Sequence, residues 1–369
     1  MDSKTRLKLA MQGKKTDQIP LMCQFSLGFL AKNFTQDLIR FWYEPEGLVE
    51  AYISAAEHFG FDGILVSISG RDPETIKQIQ KVTDGKNGSK LISWENGTQT
   101  LMPYNDFPQD IGDRSSNGSP TDIEELNIED IPQISETEFP DYEFNILEGV
   151  LDKKGRELSI HGEVGTCFEE FLMLFNQMEN GLVALLEDPS KAKRAMRRLN
   201  HTVISRAKEQ CRRGIDALKL SSPFSGAGFI SRDMYKEFVL PYEREVIDAV
   251  HREYGIPCYI HTCGAIGDRL DLMLVTGTNG IECLDPPPLG TVQLDKAVQV
   301  IGSKAFIKGN LDSVNELKDT TPEQVLEIVK KRLEIGQKHP GGYILSTACS
   351  IAPEVPLENI KVLQKAVSV

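Results

Sequence analysis

Eight short apolar segments alternate with longer amphipathic segments along this chain, and this alternation constrains the fold more than any other feature. Strand-like segments that alternate with helix-like segments are typical of parallel α/β folds. Eight such pairs predict one (β/α)8 barrel, a TIM barrel, over residues 1–369. The strand-like segments are 20–25, 63–69, 158–164, 217–222, 257–263, 280–284, 305–311 and 343–349, and the main helix-like segments are 45–59, 189–213, 231–254, 321–339 and one from residue 356 onward.

The segment 71–143 departs from this alternation. It is rich in Asp, Asn, Gly, Ser and Pro, and Asn96-Gly97 within it is typical of a β-hairpin turn. We predict an insertion after the second strand, over or beside the barrel mouth. A functional lid and a loosely ordered surface excursion both remain open interpretations, because long connections in compact domains are usually of one kind or the other.

The pattern His261-Thr262-Cys263 predicts a metal site. Residues i and i+2 of a strand point to the same side, so His261 and Cys263 can bind one ion at the carboxyl end of the fifth strand. Cys349 ends the eighth strand in the same way. Zinc binds His nitrogen and Cys sulfur in tetrahedral geometry, so we predict that these three side chains bind zinc.

The fourth zinc ligand is predicted to be Glu282, in the sixth strand. Strand alternation sends Glu282 and Cys283 to opposite faces, and the carboxylate is the better candidate to point inward. Two alternatives stay open. Water can occupy the fourth position, and the Glu282 carboxylate can instead pair with a basic neighbour.

Active sites of such barrels lie at the carboxyl ends of the strands, which selects further candidates. Glu163, Tyr235, Asn310 and Asp312 are predicted to supply proton transfer or substrate contacts. Asn310 and Asp312 share a face and follow the seventh strand. His161, two residues before Glu163, has two equally weighted interpretations, a site residue and a buried, hydrogen-bonded core histidine.

Composition excludes several classes of partner. The formal net charge of −13 argues against nucleic acid, which needs a basic footprint. No signal-like segment and no apolar run of about 18 residues occur, so neither secretion nor membrane insertion is expected. The seven cysteines are widely spaced and form no CxxC pair. Reduced thiols in a cytoplasmic protein are therefore predicted.

Several of these segments resemble the uroporphyrinogen decarboxylase superfamily and, within it, the zinc-dependent corrinoid methyltransferases. Methylcobalamin:coenzyme M methyltransferases and the methyltransferase components of O-demethylases belong to that branch. The resemblance covers nearly the whole chain except the insertion, and the His-x-Cys pattern with the late Cys is its specific part. The segments that carry it are His261-Thr262-Cys263-Gly264, Gly280-Ile281-Glu282, Gly309-Asn310-Leu311-Asp312 and 349–359.

This resemblance implies a TIM barrel with zinc at His261, Cys263 and Cys349. It also implies methyl transfer between a small-molecule methyl donor or acceptor and a corrinoid carried by a separate partner protein. The cobalamin-independent methionine synthases, in which a Glu lies between the His-x-Cys and the last Cys, support Glu282 as a ligand. Related barrels often dimerise, so a homodimer is one expected state.

Two reactions fit a zinc site of this kind. Zinc can hold a thiol as the thiolate that attacks a methyl-cobalt corrinoid, or it can act as a Lewis acid on a methyl ether whose methyl group passes to cobalt. The main alternative is a metal-free lyase of the uroporphyrinogen decarboxylase type. It is disfavoured because residues 22–30, where such enzymes carry a substrate-binding arginine motif, contain no arginine. A catalytically inactive binding module is the third interpretation.

Overall fold

The computed structural model describes residues 1–112 and 118–368. Its strands are β1 (Gly63–Val66), β2 (Ile79–Asp84), β3 (Lys90–Trp94), β4 (Gln99–Met102), β5 (Gln109–Ile111), β6 (Ser159–Gly165), β7 (Ala217–Ser221), β8 (Cys258–Thr262), β9 (Gly280–Cys283), β10 (Phe306–Leu311) and β11 (Tyr343–Thr347). Its helices are α1 (Ser3–Met11), α2 (Leu27–Asn33), α3 (Leu38–Tyr43), α4 (Pro45–Phe59), α5 (Asn145–Lys154), α6 (Cys167–Met173), α7 (Met178–Glu187), α8 (Pro189–Arg212), α9 (Arg232–Met234), α10 (Leu240–Glu253), α11 (Leu270–Val275), α12 (Leu294–Ile301), α13 (Pro322–Gly336) and α14 (Leu357–Val367).

Seven strands form one parallel sheet in the order β1-β6-β7-β8-β9-β10-β11, so each strand pairs with the next one of the sheet along the chain. β9, β10 and β11 are buried along their whole length, as expected for a parallel sheet covered on both faces. Long helices such as α8 connect the strands; Pro189 begins this helix and the Asp188 side chain accepts the Lys191 N–H. The arrangement is the TIM-barrel-like α/β fold that the alternation predicts.

The predicted first strand, residues 20–25, differs from the others. It makes two isolated parallel bridges, Leu21 with Leu345 and Phe25 with Ile351, and no continuous strand. The Leu21 carbonyl also accepts the N–H of Asp62, just before β1, at 2.8 Å. This segment therefore lies between the two edge strands β1 and β11. Pro20 has no N–H to donate, which limits the ladder at its start.

One face of the parallel sheet is polar toward the carboxyl ends and apolar toward the amino ends. Residues in register on neighbouring parallel strands point to the same side. The register pairs on this face are Glu163 with Lys219, Ser221 with His261, His261 with Glu282, Glu282 with Lys308, and Asn310 with Ser346. Below them, Tyr259, Phe306 and Ile344 form a small apolar cluster with Leu7, Ala10 and Met11 of α1. That helix thus covers the amino end.

The insertion contains the antiparallel sheet β2-β3-β4-β5. Asn96-Gly97 connects β3 and β4, where Trp94 N–H donates to the Thr98 carbonyl at 3.0 Å and Gly97 has a φ of 84°, so the predicted hairpin is confirmed. Asn105 donates to Glu354, beyond the carboxyl end of β11, at 3.1 Å. A lid function for the insertion remains a prediction, and its residues 113–117 lie outside the described residues.

None of the helices in residues 1–112 and 118–368 has the length and the apolar composition that crossing a membrane requires.

Candidate metal centre

Three side chains from the ends of two distant strands meet in one cluster. His261 lies in β8, Cys263 follows that strand, and Cys349 lies two residues past β11. Their ligand atoms all lie within 4.8 Å of one another. His261 Nε2 is 3.3 Å from Cys263 Sγ, and the two sulfur atoms are 3.8 Å apart. The structure thus brings together the three predicted ligands.

The distance between the two sulfur atoms fits a shared tetrahedral metal ion. A disulfide needs a separation of about 2.05 Å, so the 3.8 Å between Cys263 and Cys349 excludes that bond. Two sulfurs, each about 2.3 Å from a tetrahedral zinc, are separated by about 3.8 Å. The donor set of one imidazole and two thiols also matches zinc.

The turn after β8 holds Cys263 in place. Gly264 directly follows the cysteine and has a φ of 74°, a conformation that favours glycine. Its N–H donates to Asp285 Oδ2, in the loop after β9, at 2.6 Å. On the other side of the cluster, Ala348 N–H donates to the Leu311 carbonyl at 2.7 Å, which continues the pairing of β10 and β11 up to Cys349.

Glu282 lies on the far side of the His261 ring from the thiols. Its Oε2 is 2.9 Å from His261 Nδ1, and its Oε1 is hydrogen-bonded to Lys308 Nζ. A proton on Nδ1 leaves the lone pair of Nε2 free for a metal. Glu282 is not part of the three-residue cluster. Its ligand role stays a prediction, whereas the geometry matches the alternative of a carboxylate paired with a basic neighbour.

Two buried lysines surround this carboxylate. Lys308 and Lys219 are both fully buried, and Lys219 Nζ lies 3.5 Å from Glu282 Oε2 and 3.3 Å from Glu163 Oε2. Burial alone would favour a neutral Glu282, but Lys308 and then Lys219 outweigh it and hold its pKa well below the usual range. Burial likewise opposes the charge of Lys219, yet Glu163 and Glu282 raise the pKa of this amine.

A cavity of about 390 Å³ lies at the carboxyl ends of β1, β6 and β7, and the three cluster residues do not line it. Ser221, in register with His261, lines it, so the cavity lies directly next to the strand that carries the cluster. Burial, with a contribution from Glu163, raises the pKa of Glu169 to about 7, and burial also raises that of Glu170 to about 7. The charged groups lining the cavity are Glu143, Glu163, Glu169, Glu170 and Arg206.

The four predicted catalytic residues lie in different surroundings. Glu163 lines the cavity and pairs with Lys219. Asn310 is buried, its Nδ2 donates to the Leu284 carbonyl at 2.9 Å, and its Oδ1 accepts no hydrogen bond from the described residues. Asp312 caps the following turn: one carboxylate oxygen accepts two backbone N–H groups and the other accepts Asn315 Nδ2. Asp312 therefore has a local structural role, and its catalytic role stays a prediction.

Tyr235 is buried in the helical layer. Its hydroxyl donates to Glu243 Oε2 at 2.6 Å, and the Arg269 guanidinium lies over its ring. These partners are outside the metal cluster and the cavity, and the catalytic role of Tyr235 stays a prediction. His161 is also buried, between Ser159 Oγ and Tyr259 OH at 3.1 Å each, and burial followed by Lys308 lowers its pKa to about 3.

Glu243 gives a prediction about stability and pH. Burial raises the pKa of its carboxyl from 4.5 to about 7. Between these values the folded chain keeps a proton that the unfolded chain has released, so this group's contribution to stability is lost as the pH rises. The amide oxygen of Glu243→Gln can still accept the Tyr235 hydroxyl. We expect the free energy of unfolding of this variant to fall less between pH 5 and pH 8 than that of the wild type, by on the order of 3 kcal/mol.

Urea unfolding of the wild type and the variant at both pH values measures this difference. Glu179→Gln, at an exposed position, is the matched control and should keep the wild-type pH dependence. An unchanged pH dependence in Glu243→Gln would show that this carboxyl is not protonated in the folded chain.

Sequence reasoning missed four charged residues of this site. Lys219 and Lys308 each interrupt an otherwise apolar predicted strand, and a lysine in such a position is a signal for a buried ion pair. Glu169 and Glu170 occupy the first turn of α6, immediately after β6. Acidic residues are common in the first turn of any helix, so these two carried no distinct signal.

The family model described as Uroporphyrinogen decarboxylase (URO-D) matches residues 106–368. Among curated proteins, a methylated-thiol–coenzyme M methyltransferase of Methanosarcina mazei is 31% identical over 179 residues, which is 48% of this chain and 45% of that protein. A methylcobamide:CoM methyltransferase, MtbA, of Methanosarcina acetivorans is 31% identical over 158 residues, 43% of each chain. A uroporphyrinogen decarboxylase of Ruthia magnifica is 28% identical over 182 residues, 48% of this chain and 49% of that protein. The chain thus spans about half the length of the curated relatives it matches.

Two solved structures share the fold. A methyltransferase from Methanosarcina mazei superposes with a TM-score of 0.72 at 17% identity, covering 100% of this chain and 98% of that chain. A B12-independent methionine synthase from a Shewanella species superposes with a TM-score of 0.51 at 12% identity, covering 95% and 97%. At these identities the likeness concerns the fold alone.

Proposed function

We propose, from the premise that this chain belongs to the uroporphyrinogen decarboxylase (URO-D) family, that it is a zinc-dependent methyltransferase. It moves a methyl group between a small methylated substrate, or a thiol, and the cobalt of a corrinoid protein. The single observation that carries the proposal is the cluster of His261, Cys263 and Cys349, with its two sulfur atoms 3.8 Å apart. The names of the methyltransferase relatives support the same reaction class.

His261, Cys263 and Cys349 would hold the zinc. When bound, zinc supplies a Lewis acid for a substrate heteroatom and stabilises a thiolate at neutral pH. Glu282 fixes the proton of His261 on Nδ1 and so directs Nε2 toward the two thiols. Lys308 and Lys219 keep Glu282 ionised. The apolar cluster under α1 closes the amino end of the sheet face, so substrate enters from the carboxyl end.

The corrinoid is proposed to arrive on a separate protein. A corrin ring far exceeds the cavity of about 390 Å³ at the carboxyl ends of β1, β6 and β7, so cobalt must approach from outside with the partner protein covering the carboxyl end of the sheet. A small methyl donor or a thiol can fill the cavity itself. Both directions of transfer use the same arrangement, because substrate and cobalt meet at the same place.

The metal-free decarboxylase is the second candidate, because uroporphyrinogen decarboxylases are also among the relatives. The charge of the cavity opposes it. Glu163, Glu169 and Glu170 line the cavity, and Arg206, its one arginine among the lining residues, is already ion-paired with Glu143. A porphyrinogen carries many carboxylates, and these would meet carboxyl groups where they need cations.

A methyl-transfer assay tests the proposal. The zinc-loaded protein is incubated without oxygen with cob(I)alamin, free or on a corrinoid protein, and with methyl ethers, methyl thioethers or methylamines. The reverse direction uses methylcobalamin and a panel of thiols. We expect the absorbance of the corrinoid to report methyl transfer with at least one partner, and chelation of zinc to stop it. No transfer in either direction would contradict the proposal.

A further inference from the structure

We propose that Glu169 is the proton donor to the leaving oxygen when a methyl ether is the substrate of this site. This inference rests on the proposed function and adds a residue that acts on the substrate. It also separates the two directions of transfer, since only the removal of a methyl group from oxygen needs such a donor.

The Glu169 side chain lies over the end of β6, and β7 separates this strand from β8, the strand that carries His261. A Cβ atom at Gly165 would lie 3.2 Å from Glu169 Oε2, so the carboxyl group rests on the open side of this glycine. Gly165 is in register with Ser221, and Ser221 with His261. With about 4.8 Å between neighbouring strands, the end of β6 beneath this carboxyl lies about 10 Å across the sheet from His261. A substrate bound across this distance would contact both Glu169 and the cluster.

The carboxyl group of Glu169 is free to exchange a proton. It makes no hydrogen bond and no ion pair with the described residues, whereas Glu163 pairs with Lys219 and Glu143 pairs with Arg206. Glu169 also lines the cavity, so a substrate in the cavity can touch it. Among the carboxyl groups of the cavity, Glu169 combines freedom from an ion pair with a position over Gly165 at the end of β6.

The protonation state of Glu169 suits the task. Burial, followed by the charge of Glu163, raises its pKa to about 7, while the charges of Lys219 and His261 act in the opposite direction. Glu170 on the same helix, Arg206 of α8 and Glu143 are the other charged groups that line the cavity. At neutral pH a large fraction of Glu169 therefore carries the proton that a solvent-exposed glutamate would have lost.

The reaction balances with this proton. The bond between the methyl carbon and the ether oxygen breaks, and its electron pair stays on the oxygen. The electron pair of cob(I)alamin forms the new bond to the methyl group and gives methylcob(III)alamin. Glu169 delivers its proton to the oxygen, which leaves as a phenol or an alcohol, and the carboxylate regains a proton from water. A thiol acceptor instead loses a proton before it attacks, so it needs no acid.

The test compares wild type with Glu169→Gln on aryl methyl ethers whose phenols span a wide range of acidity. A proton donor matters most for the poorest leaving groups. We expect the rate of cobalt methylation to fall about 100-fold for weakly acidic phenols and only a few-fold for nitrophenols, so that the variant depends more steeply on phenol acidity. The wild-type rate should also decline above about pH 7, and the variant should lack this decline.

Glu179→Gln is the control, because Glu179 is an exposed glutamate of α7 that does not line the cavity. It should keep the wild-type dependence on phenol acidity. Thermal unfolding verifies that both variants are folded. An equal rate loss across the series, or no loss, overturns the role of Glu169. If the wild type methylates thiols but demethylates no ether, the role of Glu169 is overturned and the proposed function stands. If the wild type transfers no methyl group at all, both the role of Glu169 and the proposed function are overturned.

Discussion

Replacing Cys349 with serine is expected to remove zinc and to lower the rate of methyl transfer by at least about 100-fold. A serine hydroxyl stays protonated at neutral pH and is a poor zinc ligand, whereas the thiolate is a strong one. Since even the loss of a group that only supports a ligand costs about 10–100-fold, loss of a ligand should cost at least that much. Zinc per chain and initial rates of corrinoid methylation measure the effect.

Cys211→Ser is the control for this experiment. Cys211 is a buried free thiol of α8 outside the metal cluster, so its loss should leave about one zinc per chain. A Cys349→Ser protein that still held one zinc per chain and kept its rate would remove Cys349 from the ligand set.

Replacing Glu282 with glutamine is expected to destabilise the metal-free protein by about 3–5 kcal/mol. Lys308 is fully buried and Glu282 is its ion-pair partner among the described residues, so the substitution leaves a buried ammonium group without a counter-charge. Lys219 loses one of its two carboxylates at the same time. Denaturant unfolding with zinc removed from both proteins isolates this electrostatic effect from metal binding.

The double variant Glu282→Gln, Lys308→Met provides the control. It removes the unpaired charge along with the carboxylate, and replacing a buried ion pair by neutral groups often costs little. We therefore expect it to recover most of the stability that Glu282→Gln loses. If Glu282→Gln alone stays within about 1 kcal/mol of the wild type, the electrostatic network does not hold Glu282 as described.

The parts of the fold that rest on repeated local patterns could be predicted from the sequence. Seven of the eight strand-like segments pair in one parallel sheet in chain order. The metal cluster was predictable for a related reason: period-two spacing places His261 and Cys263 on one side of a strand, and the ends of parallel strands converge.

Other features depend on tertiary pairing that no local pattern contains. The segment 20–25 has strand composition but lies between two edge strands and makes only single bridges. Asp312 has a position that suits catalysis, yet its carboxylate is used by the turn that follows it. Glu282 lies on the same face of the sheet as His261, as predicted. Its two carboxylate oxygens, however, contact buried Lys308 and His261 Nδ1.

X-ray absorption at the zinc edge of the purified protein tests the central claim most directly, because it reports both the metal and the atoms bound to it. We predict about one zinc per chain, with two sulfur ligands at about 2.3 Å, one imidazole nitrogen at about 2.0–2.1 Å and one further nitrogen or oxygen ligand. Two sulfurs and one imidazole would support His261, Cys263 and Cys349 as the zinc ligands. A well-folded protein without stoichiometric zinc, or zinc without sulfur ligands, would contradict the account.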